Sequence, residues 1–324
     1  MTTMRRIAVL TGGGDAPGMN PAIRAVVRTA TAAGVEVYGV RQAYSGLLAG
    51  DFERMTSRDV SGIIQRGGTI LQTARNLEFK TPQGQKRGLR RLNEHGIDGL
   101  IVIGGDGSLR GALALHNLGF PVVGVPGSID NDIWGTNMSI GVDTALNTIL
   151  DAIDKLRDTA SSHERCFLLE VMGRNCGYLT LMGGILGGAE FIVIPERETT
   201  LEEIGQALEE AYMRGKSHAM GVIAEGASLM IQDVAAYLES HEIGFEVRVT
   251  VLGHVVRGGR PSAFDRLLAT RMGVAAVEHL LAGNTGVMVG LHGREIGTVS
   301  LEDATTKQRS VSLEYIKMAE YLAK

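Results

Sequence analysis

Residues Gly99 to Asp132 read GLIVIGGDGSLRGALALHNLGFPVVGVPGSIDND, and this stretch decides the fold. Leu100-Ile101-Val102-Ile103 is a short continuous apolar run, the pattern of a strand buried on both faces. It stops at Gly104-Gly105-Asp106-Gly107-Ser108. Apolar residues at Ala112, Leu113, Leu115 and Leu118 then suit a helix, and Val122 to Val125 is a second buried strand. Strand, glycine turn, helix and strand make one βαβ unit, in which the strand C-termini carry the ligand. Here both strand ends set glycines beside carboxylates. Glycines let a phosphate approach the backbone N–H groups at a helix start. Carboxylates hold Mg²⁺ or take a proton.

The same grammar recurs on either side. Ile7 to Leu10 is a buried strand running into Gly12-Gly13-Gly14-Asp15-Ala16-Pro17-Gly18, followed by a helix with Ile23, Val26, Val27 and Ala30 on its apolar face. Val35 to Val40, Cys166 to Met172, Phe191 to Ile194, Ala219 to Ala224, Val247 to Leu252 and Val287 to Leu291 read as further strands. Helices are expected over 83–94, 140–159, 178–186, 201–214, 231–239, 266–281 and 311–323. Asp51 to Thr73 is less regular and carries arginines in loop-like segments. Alternating strands and helices predict a doubly wound, mostly parallel α/β protein, expected as two similar sheet lobes with the active site between them. The pattern restarts near Thr136–Ser139, so the expected lobes are 1–138 and 139–324, with later chain returning to the first.

The chain has 324 residues, 44% of them hydrophobic and 21% charged, and a net charge of −4. That is a globular composition with no basic excess, so neither nucleic acid nor an anionic membrane surface is an expected partner. No apolar run approaches the roughly 18 residues of a membrane span. Cys166 and Cys176 have no metal-ligand company. A cytoplasmic location is expected.

Two turns share one spacing, Gly12-x-Gly14-x-x-x-Gly18 and Gly105-x-Gly107-x-x-x-Gly111. The first is not a Walker A loop, because no Gly-Lys-Ser/Thr follows, and its last spacing is one residue longer than in the dinucleotide fingerprint. Asp106 inside a phosphate-type turn would repel its ligand unless a cation intervened, which points to Mg²⁺; the alternative is a helix N-cap. Ser128-Ile129-Asp130-Asn131-Asp132 places two carboxylates at a strand end, for a general base and a helper; the alternative is an Asx turn. Arg75, Arg165, Arg174, Arg248 and Arg257 lie in or beside strand-end or glycine-rich segments, enough cations for more than one phosphate group. His254 sits in Gly-His-x-x-Arg-Gly-Gly and is assigned to binding. Arg24, Arg28, Arg157, Arg214 and Lys216 form a second basic set on helix faces and ends.

Seven ordered motifs run along the chain: GGGDAPGMN (12–20), RGGT (66–69), GGDGS (104–108), PGSIDND (126–132), TASSHER (159–165), VMGR (171–174) and GHVVRGG (253–259). Together they resemble the bacterial ATP-dependent 6-phosphofructokinases along nearly the whole chain. The resemblance implies transfer of the ATP γ-phosphoryl group to the 1-hydroxyl of fructose 6-phosphate, a glycolytic reaction. It makes Asp130 the base and Asp106 the Mg²⁺ ligand, with Asp132 helping through water. It assigns Gly14, Arg75, Gly105, Asp106, Gly107 and Ser108 to ATP. Ser128, Asp130, Arg165, Met172, Gly173, Arg174, Glu225, Arg248, His254 and Arg257 would bind the sugar phosphate. Arg174 and Arg75 would neutralise charge on the transferring group. The resemblance also implies a homotetramer in which Arg165 and Arg248 serve a neighbouring subunit. Arg24, Arg28, Arg157, Glu190, Arg214 and Lys216 would take the allosteric effector, ADP or phosphoenolpyruvate.

Pyrophosphate-dependent relatives carry an acidic residue in place of Gly107 and lysine in place of Gly127, so the two glycines favour ATP. Other positions depart from the family pattern: Ser128 for threonine, Val256 and Arg260 in the sugar-phosphate loop, Asn76-Leu77 after Arg75, Tyr178 after the VMGR loop, and Ser57 where some members have an effector arginine. Two readings of other classes compete. An NADP-dependent oxidoreductase would use the glycine turns and Arg41, but Asp106 would then face the pyrophosphate. A non-catalytic sugar-phosphate sensor would not need Asp106, Asp130 and Asp132 intact.

Overall fold

The computed structural model describes residues 4–162, 165–241 and 243–322. His163 and Glu164 of the TASSHER motif, and Ala323 of the expected last helix, lie outside the described residues. The chain opens with β1 (Arg6–Gly12), α1 (Met19–Ala32), β2 (Glu36–Val40), α2 (Ala43–Ala49), β3 (Phe52–Met55), α3 (Pro82–Glu94), β4 (Gly99–Gly104), α4 (Asp106–Asn117) and β5 (Val122–Pro126). It continues with α5 (Val142–Ser161), β6 (Arg165–Val171), α6 (Tyr178–Gly187), β7 (Phe191–Val193), α7 (Leu201–Met213), β8 (Ala219–Ala224), α8 (Ile231–Ser240) and β9 (Glu246–Val251). It ends with α9 (Ala263–Leu281), β10 (Val287–His292), β11 (Glu295–Ser300), α10 (Leu301–Thr306) and α11 (Leu313–Leu322).

Contacts divide the chain into two units. One holds residues up to 129, 133–144 and 257–309; the other holds 130–132, 145–256 and 310 onward. Apart from the short excursion at 130–132, the chain leaves the first unit after Thr144, past the 138/139 boundary expected from the pattern. The cause is local. Ile140 bridges to Gly127, and the Gly141 and Thr144 amides each donate to the buried Asp265 carboxylate at 2.8 Å.

The first unit is built on a seven-stranded sheet in the order β11-β10-β5-β4-β1-β2-β3. The inner strands are parallel, and β3 and β11 pair antiparallel at its two edges. From β1 the chain goes to β2 on one side and later to β4 on the other. The strand order thus reverses between β1 and β4, where an α/β sheet opens its ligand crevice. Gly12 and Gly104 stand opposite one another there. Ala8, Leu10, Leu100 and Val102 pack with Leu47, Phe79, Leu109 and Leu115 in one core. Each of the larger side chains contributes on the order of 1.5–3 kcal/mol when fully buried. Ile7, Val9, Ile101 and Ile103 are equally buried and alternate to the other face. On that side α1 and α9 lie close: a Cβ on Gly273 would stand 2.7 Å from the Ala25 Cβ.

The second unit has a four-stranded, wholly parallel sheet in the order β7-β8-β6-β9. Cys166, Leu168, Ile204, Leu208, Val234 and Leu238 form its core. A capping box fixes the start of α7: the Thr200 hydroxyl accepts from the Glu203 amide, and the Glu203 carboxylate accepts from the Thr200 amide. Among the described residues no helix is long and apolar enough to cross a membrane.

Candidate active site

The first glycine turn leaves β1 through Gly13, at φ +83, and enters α1 through Gly18, at φ +122. Asn20, 1% exposed, fastens a second motif to it. Its amide donates to the Arg66 and Gly67 carbonyls, both at 3.1 Å, and its oxygen accepts from the Ile70 amide at 2.8 Å. The Thr11 hydroxyl lies 2.8 Å from that of Thr69 and donates to the Gln72 carbonyl at 3.1 Å. The 66–72 loop is thereby held at the mouth of β1, three residues before the exposed Arg75. A third motif joins them. A Cβ on Gly67 would stand 2.1 Å from the Gly259 carbonyl oxygen, and one on Gly14 would stand 3.1 Å from the Arg257 guanidinium carbon. Arg257, expected at the sugar phosphate, thus covers the turn expected to hold ATP.

The second turn starts α4. Gly105 is the extended residue before the helix, and Asp106 is its first residue. Gly104 touches the first turn, since a Cβ there would stand 2.4 Å from the Gly12 carbonyl oxygen. Ser108 is buried, and its carbonyl accepts a hydrogen bond from the Tyr44 hydroxyl at 2.6 Å. Tyr44 stacks on Phe79 with centroids 4.0 Å apart. Burial pushes the Tyr44 phenol well above its usual range.

The glycines of the two turns do different work. A Cβ on Gly111 would meet the Tyr44 hydroxyl at 2.5 Å, and one on Gly18 would meet Ile140 at 2.4 Å. The last glycine of each spacing therefore serves packing. Gly107 is the opposite case: the space where its Cβ would stand is empty out to 4 Å, and its φ is not in the left-handed region. The fold makes no demand for glycine at 107. Asp106 does not cap its own helix. Its two carboxylate oxygens lie 2.9 and 3.0 Å from the Arg110 Nε, one turn along. Ser128 lies just across, its Oγ 4.0 Å from the Cβ position of Gly105.

A divalent cation fits this donor set in one way. No group of three or more metal-ligating side chains gathers among the described residues. The ion would rest on the exposed Asp106 carboxylate and complete its shell with ligand phosphate and water, the habit of Mg²⁺.

In the second unit, sheet register gathers three strand ends. Val171 stands opposite Ala224, and Glu170 opposite Val251. The Glu225 amide donates to the Val171 carbonyl at 2.9 Å, Gly226 to Gly173 at 3.1 Å, and Leu252 to Glu170 at 3.1 Å. Met172, Gly173, Arg174, Glu225 and His254 therefore share one end of the sheet. Asp130 and Asp132 also belong to this unit, although Ser128 belongs to the first. Arg165 and Arg248 are elsewhere. Arg165 opens β6 and pairs with Glu246 at 2.7 Å, and Arg248 pairs with the same carboxylate. The whole of β6, about 20 Å of strand, separates Arg165 from the Arg174 end.

A phosphofructokinase family model matches residues 6–280. The chain belongs to the phosphofructokinase family. This phosphofructokinase is 52% identical over 320 residues to the ATP-dependent 6-phosphofructokinase of Halalkalibacterium halodurans, covering 99% of this chain and 100% of that one. It is 51% identical over 321 residues to that of Thermotoga neapolitana, with the same coverage. Among solved structures, the phosphofructokinase of Saccharomyces cerevisiae superposes with a TM-score of 0.88 at 36% identity, over 98% of this chain and 50% of that one. A pyrophosphate-dependent phosphofructokinase from Marinobacter aquaeolei shares the fold, with a TM-score of 0.86 at 21% identity over 99% and 92%.

The second basic set of this phosphofructokinase is divided. Arg24 and Arg28 stand on α1 in the first unit, whereas Arg157, Glu190, Arg214 and Lys216 are in the second. Lys216 pairs with Glu190 at 2.8 Å, and the other Glu190 oxygen accepts from the Met220 amide at 2.5 Å. Arg157 donates to the Gly187 and Gly188 carbonyls, and Arg214 lies 3.6 Å from Glu210. Sequence reading missed Tyr44 and Asp265. Both act through contacts distant in sequence, and only the glycine at 111, open to a neighbouring ring, was a signal for Tyr44.

Proposed function

We propose that this phosphofructokinase is an ATP-dependent 6-phosphofructokinase, moving the γ-phosphoryl group of ATP to the 1-hydroxyl of fructose 6-phosphate to give fructose 1,6-bisphosphate and ADP. The observation that carries the choice of donor is the empty space at Gly107. A glycine that neither packing nor backbone requires is one kept clear for something outside the chain. A side chain there would crowd the α-phosphate and ribose of a nucleotide, which pyrophosphate lacks.

Phosphoryl transfer needs alignment, charge neutralisation and a positioned base. Asp130 takes the proton from the 1-hydroxyl as that oxygen attacks the γ-phosphorus, and Ser128 stands beside it in sequence. Arg75 and Arg174 offset charge on the transferring group. Gly14 and Gly105–Ser108 take the ATP phosphates, and Met172, Gly173, Glu225, His254 and Arg257 take the sugar phosphate. Asp106 would hold Mg²⁺, with Asp132 helping through water; the chemistry such an ion supplies is neutralisation of phosphate charge.

A homotetramer suits Arg165 and Arg248. Arg165 opens β6 at the far end of the sheet from Glu225 and His254, Arg248 stands within β9 with its guanidinium on Glu246, and β9 is an edge strand with Val249 and Val251 exposed. ADP or phosphoenolpyruvate as effector is supported by the cations beside Glu190. The direct test is a coupled assay with fructose 6-phosphate and Mg²⁺, comparing ATP with pyrophosphate, each with and without ADP and phosphoenolpyruvate. Turnover with ATP alone is expected; turnover with pyrophosphate alone would reverse the donor, and turnover with neither would remove the kinase reading.

A further inference from the structure

Among the described residues, Arg110 is the one cation that the structure sets against the Asp106 carboxylate. Its Nε sits between both oxygens, at 2.9 and 3.0 Å, from one helical turn further along α4. The two side chains are 64% and 48% exposed, so the pair is a weak surface ion pair that solvent competes with. Helical spacing presents the two to each other without any help from tertiary packing. A guanidinium facing both oxygens of a carboxylate neutralises its charge and takes up part of its lone-pair capacity, so it competes with a metal ion for that group.

We propose that Arg110 is a positioning residue that stands in for the metal. Without nucleotide it neutralises Asp106, holds its carboxylate in place and disfavours capture of a free divalent cation. With a metal–nucleotide complex bound, Arg110 would release Asp106, whose carboxylate would then hold the divalent ion. The freed positive charge then remains at the N-terminal half of α4, where it adds to the favourable field for phosphate. The inference rests on the assignment of Asp106 as the metal ligand.

It makes an unusual demand, that one substitution move two affinities in opposite directions. With Mn²⁺ as probe, followed by electron paramagnetic resonance, Arg110→Met should tighten binding of the bare ion by about two- to fivefold, the scale of an exposed ion pair. By calorimetry in chelator, with no divalent ion present, the same variant should bind ATP more weakly than wild type, because Asp106 is then unopposed. The dependence of ATP affinity on metal therefore steepens. Arg110→Lys should fall between the two, keeping charge without the Nε contact. Asp106→Asn is the control. If Arg110→Met leaves both affinities unchanged, or shifts both the same way, while Asp106→Asn weakens Mn²⁺ binding, the stand-in role is wrong and the metal assignment survives. If Asp106→Asn leaves Mn²⁺ binding unchanged, the metal assignment fails and the role of Arg110 falls with it.

Discussion

The Tyr44 hydroxyl donates to the Ser108 carbonyl at 2.6 Å, joining α2 to the first turn of α4 inside the core of the first unit. Tyr44→Phe keeps the ring on Phe79 but removes the phenol's hydrogen bond to that buried carbonyl, which retains its intrahelical donor. The expected loss is about 0.5–1.5 kcal/mol in denaturant unfolding. The KM for ATP should rise, because the loosened turn carries Gly107 and Asp106. An unchanged unfolding midpoint would show that water replaces the phenol.

Gly107→Asp tests the empty space beside the second turn. With nothing within 4 Å of the new Cβ, stability should stay within about 0.5 kcal/mol of wild type. Affinity for ATP should fall at least tenfold. A variant that keeps its ATP affinity would place the nucleotide elsewhere.

Asp130→Ser removes the proposed base. Turnover should drop by about 10²–10⁴-fold, with binding of fructose 6-phosphate, measured by calorimetry, largely kept. Near-normal turnover would take Asp130 out of the role.

The separation of Arg165 from the Arg174 end gives a complementation test. Arg165→Ala and Asp130→Ser should each be nearly inactive alone. If Arg165 serves a neighbour, subunits unfolded together and reassembled should regain activity, because some mixed sites then contain both intact residues. Mixtures no better than the separate variants would return Arg165 to its own subunit.

Burial pushes the thiols of both Cys166 and Cys176 up to about 12. Near pH 8 only about one in ten thousand is then thiolate, the reactive form. Neither should react with iodoacetamide in the folded protein, and reactivity should appear only with unfolding. Labelling at the rate of a free thiol would show that the local structure opens.

The alternation of strands and helices was legible because parallel strands buried on both faces are continuous apolar runs, as at Leu100–Ile103. α2, β3, β11 and α10 were not read. They span four to seven residues each, too few for a period to declare itself, and β3 and β11 are half-exposed edge strands. Asp106 and Arg110 stand four apart in plain view, so their pairing needed only the helix. Asp265 was illegible for the contrary reason. Its partners Gly141 and Thr144 are more than 120 residues away, and no local pattern distinguishes it from an ordinary charge in a helix's first turn. The spacing of the glycine turns was legible, but the spacing could not separate Gly107 from Gly111, which differ only in what surrounds them.

The second unit interrupts the first, and this bears on how the chain folds during its synthesis. The seven-stranded sheet needs β10, whose Val287 and Met288 pair with Val123 and Gly124 of β5. A chain leaving the ribosome N-terminus first must keep β5 as an open edge while the whole of 145–256 is made. That run supplies an entire parallel sheet and its core from contiguous sequence, so it can reach its native pairing earlier. The interval is hazardous, because an apolar strand with an unpaired edge is a template for wrong partners. Slowed translation between residues 145 and 287 should therefore lower the yield of active enzyme more than slowing after Ser300.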